Sequence, residues 1–145
     1  MTEHFSLDEL TASQEATRHG INNKPSEKVV ENLRMLAALL EQVRTLLGGN
    51  SIRISSGYRS LALNRHIGSS HTSAHIFGYA ADFTCPSFGT PITVAKKIAE
   101  SNLKFDQLIC EGNAWIHISC DPQNRRQLLT ARFEHGHTYY TTGIT

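Results

Sequence analysis

Between Val29 and Leu47 the apolar residues Val29, Leu33, Leu36, Leu40, Val43 and Leu47 return every three or four positions, and Gly48-Gly49 then stops the pattern. That spacing predicts one long helix with a single stripe to bury. After the glycine pair the period changes: Ile52 and Ile54 alternate with Arg53 and Ser55 as in a half-buried strand. A stripe of this kind must be covered by another element, and the strands that could cover it come mostly later in the chain. The expected class is therefore α+β, with helices packed on an antiparallel sheet.

Other signals fill in this frame. Ser6 and Glu9 have capping-box spacing and open a short helix, Asn22-Asn23-Lys24-Pro25 breaks the chain, and Ser26 can cap the long helix. A polar stretch rich in serine and histidine runs to about His75, and a strand is expected over Ala80 to Thr84. Thr90-Pro91 starts a helix extending to about Asn102. Gln107 to Glu111 and Trp115 to Ser119 read as strands around Gly112-Asn113, and Gln127 to Glu134 and His137 to Thr142 read as a terminal hairpin around His135-Gly136. His135 and His137 are expected to face solvent.

The 145 residues fit one domain, 1–145, able to bury roughly two-thirds of its unfolded surface without a disulfide framework. Cys85, Cys110 and Cys120 are odd in number and irregular in spacing, which points to reduced thiols, with one Cys110–Cys120 bridge as the alternative. A formal net charge of +1 leaves no basic field for nucleic acid or anionic lipid. No leader-like segment precedes the first helix and no apolar run is long enough for a bilayer, so the chain is expected to be made in the cytoplasm, without membrane insertion, as a monomer.

The densest chemical signal is Ser73-Ala-His75-Ile-Phe-Gly78-Tyr-Ala80-Ala81-Asp82, followed much later by Trp115-Ile-His117. Catalytic zinc takes three ligands from His, Asp or Glu and keeps a fourth position for water. A strand with Asp82 beside a strand with His117 can supply part of such a set. The small residues Gly78, Ala80 and Ala81 allow close approach of backbone or substrate. A histidine in an apolar strand is also a common core residue, so spacing alone leaves both readings standing. A rival pair, His71 and His75, lies four apart as on a helix face. The corresponding zinc motif needs glutamate after its first histidine, where this chain has Thr72.

Taken together, Ser55-Ser-Gly-Tyr58-Arg59-Ser60, Asn64, Ser73-x-His75-x-x-Gly78-x-Ala80-x-Asp82, Phe105-Asp-Gln-Leu-Ile109 and Trp115-x-His117 resemble the M15 peptidases. These are zinc D-alanyl-D-alanine carboxypeptidases and related phage endolysins, which share a scaffold with hedgehog-type zinc domains. The resemblance implies that scaffold, one Zn2+ per chain on His75, Asp82 and His117, and a peptidoglycan peptide as substrate. It places Arg59 in the pocket, polarising the scissile carbonyl or pairing with a substrate carboxylate, and Ser73 as a hydrogen-bonding partner of substrate. Many members carry an acid three positions before the last histidine, where this chain has Ala114. Glu111, six before His117, matches the wider spacing of hedgehog-type and phage-type members and is the expected general base, with Asp106 as the fallback. The implied setting is a phage or prophage lysis enzyme reaching the wall by holin-type release. A zinc-stabilised peptidoglycan-binding or virion component and an L-alanyl-D-glutamate endopeptidase are the alternatives.

Overall fold

A computed structural model describes residues 1–69 and 73–145. Its helices are α1 (Leu7–Thr11), α2 (Gln14–Arg18), α3 (Glu27–Leu46), α4 (Leu61–Ile67) and α5 (Pro91–Ala99), with a 3-10 turn at Ala74–Phe77. The strands are β1 (Arg53–Ser56), β2 (Ala80–Thr84), β3 (Gln107–Glu111), β4 (Trp115–Ser119), β5 (Gln127–Glu134) and β6 (His137–Thr142). They form one sheet in the order β1-β2-β4-β3-β5-β6. All neighbouring pairs are antiparallel except β3 with β5. The class is α+β, as the switch of period implies, and the single parallel pair is the departure from an all-antiparallel sheet.

Local chemistry sets the helix ends. The Ser26 hydroxyl accepts the Val29 N–H at 3.3 Å, which satisfies one of the free donors of the first turn of α3. At the other end Gly48 and Gly49 both adopt positive φ and close the helix. Leu33, Leu36, Leu40, Val43 and Leu47 of the apolar stripe are fully buried, while Val29 is only partly covered. α5 stops at Ala99, short of Asn102. Two helices departed from the sequence reading. Ser13 caps a separate α2, and the serine-rich stretch after Arg59 folds into α4, capped by Ser60 and closed by Gly68 in the left-handed region.

The sheet has two chemically distinct faces because side chains alternate along each strand. Ala81 and Phe83 of β2, Ile116 and Ile118 of β4, and Leu108 and Cys110 of β3 join the buried core with α3 and α5. The opposite face carries Asp82, His117, Ile109 and Glu111. The register sets Asp82 opposite His117, His117 opposite Ile109, and Glu111 opposite Trp115. The polar site therefore sits on the back of a well-packed apolar layer.

All three cysteines are free thiols. Cys110 is level with Ile116, whereas Cys120 follows Ser119, which is level with Gln107. The two sulfurs stand at different heights of the hairpin, at about 3.3 Å per residue, and no bridge can form there without moving strands. Among the described residues no helix is long and apolar enough to cross a membrane. His135 and His137 are exposed.

Candidate metal centre

His75 arrives on the 3-10 turn, which Ser73 caps by accepting the His75 N–H at 3.3 Å. The turn is pinned to α3 by the buried Asn32, whose Nδ2 donates to the Phe77 carbonyl at 2.8 Å. Gly78 follows at φ +76°, and a Cβ there would meet Val29 Cγ1 and the Val29 carbonyl at 3.0 Å. The small residue thus lets the turn press against α3; it does not open space for a ligand.

The His75 ring has one orientation and one tautomer. Its Nδ1–H donates to the Gly57 carbonyl at 2.7 Å, and a carbonyl only accepts, so the Nδ1 carries the proton. In the neutral ring Nε2 then offers a lone pair, and it faces Asp82 Oδ1 at 3.3 Å. Burial lowers the pKa of His75 below the ordinary imidazole value, against the opposing pull of Asp82. His117 Nδ1 lies 3.1 Å from the same Asp82 oxygen, and the two rings meet edge to face with centroids 5.2 Å apart. Burial alone would raise the Asp82 carboxyl, but the contacts with His117 and His75 hold it well below the usual carboxylate range.

One ligand atom from each of His75, Asp82 and His117 lies within 4.8 Å of the others. Tetrahedral bonds of about 2.0–2.1 Å put neighbouring ligand atoms about 3.3 Å apart, close to the spacings found here. A buried lone pair facing a buried carboxylate oxygen needs a proton or a metal cation between them, and burial works against the doubly protonated ring. The Gly57 carbonyl supplies the outer hydrogen bond that fixes the metal-facing nitrogen of a ligating histidine. On these grounds the three residues fit a metal ion.

They open into a cavity of about 800 Å3. Arg59 and Ser73 line one side, with Arg59 Nη2 3.5 Å from Ser73 Oγ. The Arg59 Nε is buried and has no hydrogen-bond partner among the described residues. Burial lowers the Arg59 pKa and the Asp82 charge partly restores it; a guanidinium remains charged regardless. Glu111 lines the cavity at the end of β3. Burial raises its pKa, with the neighbouring His117 acting the other way and the Asp82 charge adding to the rise.

The remaining candidates separate clearly. Asp106 is buried and clamped by Arg125, whose Nε and Nη2 each donate to it at 2.9 Å while the Arg125 backbone N–H adds a third bond at 3.0 Å. These bonds to Arg125 lower its pKa, against the opposing effect of burial. Ala114 sits exposed in the β3–β4 turn and does not line the cavity. Tyr58 is buried, and Trp115 forms part of the cavity wall. His71 lies outside the described residues.

The profile of one family, described as Peptidase M15, matches residues 3–119, four-fifths of the chain and every element from α1 to β4. The chain belongs to that family. It is accordingly a peptidase of the M15 type, and the matched region contains each of the candidate residues named above. No curated protein matches the chain. The hairpin of β5 and β6 lies beyond the matched region, yet it contributes Gln127, Leu129 and Tyr140 to the cavity. Sequence reading missed Tyr140 and the Gly57 carbonyl as parts of the site. The alternation in β6 was visible, but its placement beside the cavity depends on the long-range β3–β5 pairing.

Proposed function

We propose that this M15 peptidase is a zinc enzyme that hydrolyses D-alanine-containing amide bonds in the peptide portion of bacterial peptidoglycan. The observation that carries this reading is the convergence of His75 Nε2, Asp82 Oδ1 and His117 Nδ1 at the floor of a polar cavity. His75, Asp82 and His117 hold the metal. Zinc in such a site supplies Lewis-acid polarisation of a carbonyl and makes water acidic enough to lose a proton near neutral pH.

The chain's own residues supply the rest. Glu111, with its pKa raised by burial, takes the proton from the attacking water and delivers it to the leaving amine. Arg59 presents a planar, permanently charged fork to the oxyanion or to the terminal carboxylate of the substrate. Ser73, near that guanidinium, offers a hydroxyl to the peptide. The clamped pair Asp106–Arg125 shapes the far wall and takes no part in proton transfer.

The biological setting we infer is a monomeric, single-domain phage or prophage lysis enzyme, without nucleic-acid or membrane partners, that reaches the cell wall through holin-type release. Incubation of the purified protein with sacculi, followed by mass spectrometry of the released fragments, tests the bond assignment. Cleavage at D-alanine amides is the expected result. Cleavage between L-alanine and D-glutamate would move the enzyme to the endopeptidase class on the same scaffold. Absence of any release by folded, zinc-loaded protein would make it a binding component.

A further inference from the structure

Eight histidines are many for a chain of this length, and the candidate site uses only two. Two more, His19 and His66, meet at Glu15 on the surface between α2 and α4. His19 Nε2 lies 3.4 Å and His66 Nε2 3.3 Å from the same oxygen, Glu15 Oε2. The two rings are tilted by 48° with centroids 4.3 Å apart, and the three ligand atoms lie within 4.8 Å of one another. We propose that Glu15, His19 and His66 form a second metal site, for zinc or another divalent transition ion of similar ligand preference.

Three features of the placement support this. Glu15 and His19 are four residues apart, which sets both side chains on one face at the end of α2. His66 comes from α4, 51 residues beyond Glu15, so the cluster is a tertiary arrangement and not a helical repeat. The nitrogen–oxygen spacings are close to the roughly 3.3 Å that tetrahedral bonds of about 2.0–2.1 Å impose, the relation met by His75, Asp82 and His117. Two imidazoles with one carboxylate suit zinc, copper or nickel and disfavour calcium or magnesium, which prefer oxygen.

The surroundings set the character of the site. Arg18 Nη1 engages the other carboxylate oxygen, Glu15 Oε1, at 3.3 Å and leaves Oε2 to the histidines. That guanidinium also opposes a bound cation. With side-chain exposures of 44% for Glu15, 44% for His19 and 37% for His66, an ion there keeps water in its remaining positions. It exchanges more readily than an ion buried at His75.

The consequence is a conditional staple. α4 begins beside Arg59 at Ser60, whose backbone N–H already donates to Asn23 Oδ1 at 2.7 Å. An ion joining α2 to α4 adds a second tie to the wall that carries Arg59. Since it binds only the folded arrangement, it stabilises the fold by mass action.

The test compares parent protein with a His19→Ala/His66→Ala variant; the exposure of these side chains keeps the fold intact. Both proteins are first loaded with zinc and dialysed, then titrated with Zn2+ by calorimetry. The parent should take up one more ion per chain than the double variant, and added zinc should raise its Tm by several degrees while leaving the variant unmoved. Glu15→Gln should weaken the extra binding at least tenfold. Equal uptake by parent and double variant, or no zinc-dependent difference in Tm between them, would overturn the proposal.

Discussion

Replacing Gly57 by alanine should damage the candidate centre without altering any of the three candidate ligands. A Cβ on Gly57 would run into the Leu10 carbonyl oxygen and stand 2.9 Å from the carbonyl carbon. Both sides of this contact are backbone, so no rotamer relieves it. The same short segment makes two hydrogen bonds that a shift would stretch. The Tyr58 N–H donates to the Leu10 carbonyl at 2.8 Å, and the Gly57 carbonyl accepts from His75 Nδ1 at 2.7 Å. Overpacking of this kind costs about 1–3 kcal/mol, and weakening one buried hydrogen bond adds about 0.5–1.5 kcal/mol. The sum, roughly 1.5–4.5 kcal/mol, is a large part of the roughly 5–15 kcal/mol that holds an ordinary domain together. Loss of the carbonyl that orients a ligating histidine typically weakens metal binding about 10- to 100-fold. Urea unfolding gives the first quantity and competition with a chelator the second. A variant within about 0.5 kcal/mol of the parent, with unchanged zinc affinity, would refute the reasoning about both the steric contact and the role of the carbonyl.

Glu111→Gln should keep fold and zinc yet lose roughly 100- to 10,000-fold in rate, measured as kcat on a defined stem peptide. Because burial raises the Glu111 pKa, its base form is lost at a higher pH than for an ordinary carboxylate near 4.5; the acid limb of kcat/KM should lie above that value and vanish in Glu111→Gln. Ala114→Glu should not rescue Glu111→Gln, since position 114 is exposed in the turn and outside the cavity. Asp106→Asn should cost about 1.5–3 kcal/mol in urea unfolding, the worth of hydrogen bonds to a charged group, with zinc retained. The lowered Asp106 pKa means its contribution is complete above the ordinary value of 3.8 and disappears as pH falls through the lowered one, so parent and variant should converge only in strong acid.

Much of this molecule was legible because its decisive signals are local. The α3 stripe, the caps at Ser6, Ser26 and Thr90, and the β3–β4 hairpin each need only a few neighbouring residues to define them. Asp82 and His117 were brought together by the family resemblance, since spacing alone left both a core histidine and a ligand open; the β2–β4 register then sets them opposite each other. What stayed hidden depends on contacts far apart in sequence. The parallel pairing of β3 with β5 has no local signature, so Tyr140 at the cavity was not foreseen. The meeting of His19 with His66 was equally invisible, because the segment that forms α4 was read only as a polar stretch despite Ser60 and Gly68 at its ends. Gly57 was only one member of the Ser55–Ser60 block, and its carbonyl acquires meaning only when the His75 ring arrives against it.

In the reading proposed above, His75, Asp82 and His117 hold zinc at the cavity floor. Elemental analysis of protein purified without added metal, in the His19→Ala/His66→Ala background and after extensive dialysis, tests it most directly. About one zinc per chain is expected there, and a small fraction of that when His75→Ala or Asp82→Ala is added to a still-folded protein. One zinc per chain retained in both of those variants would contradict it.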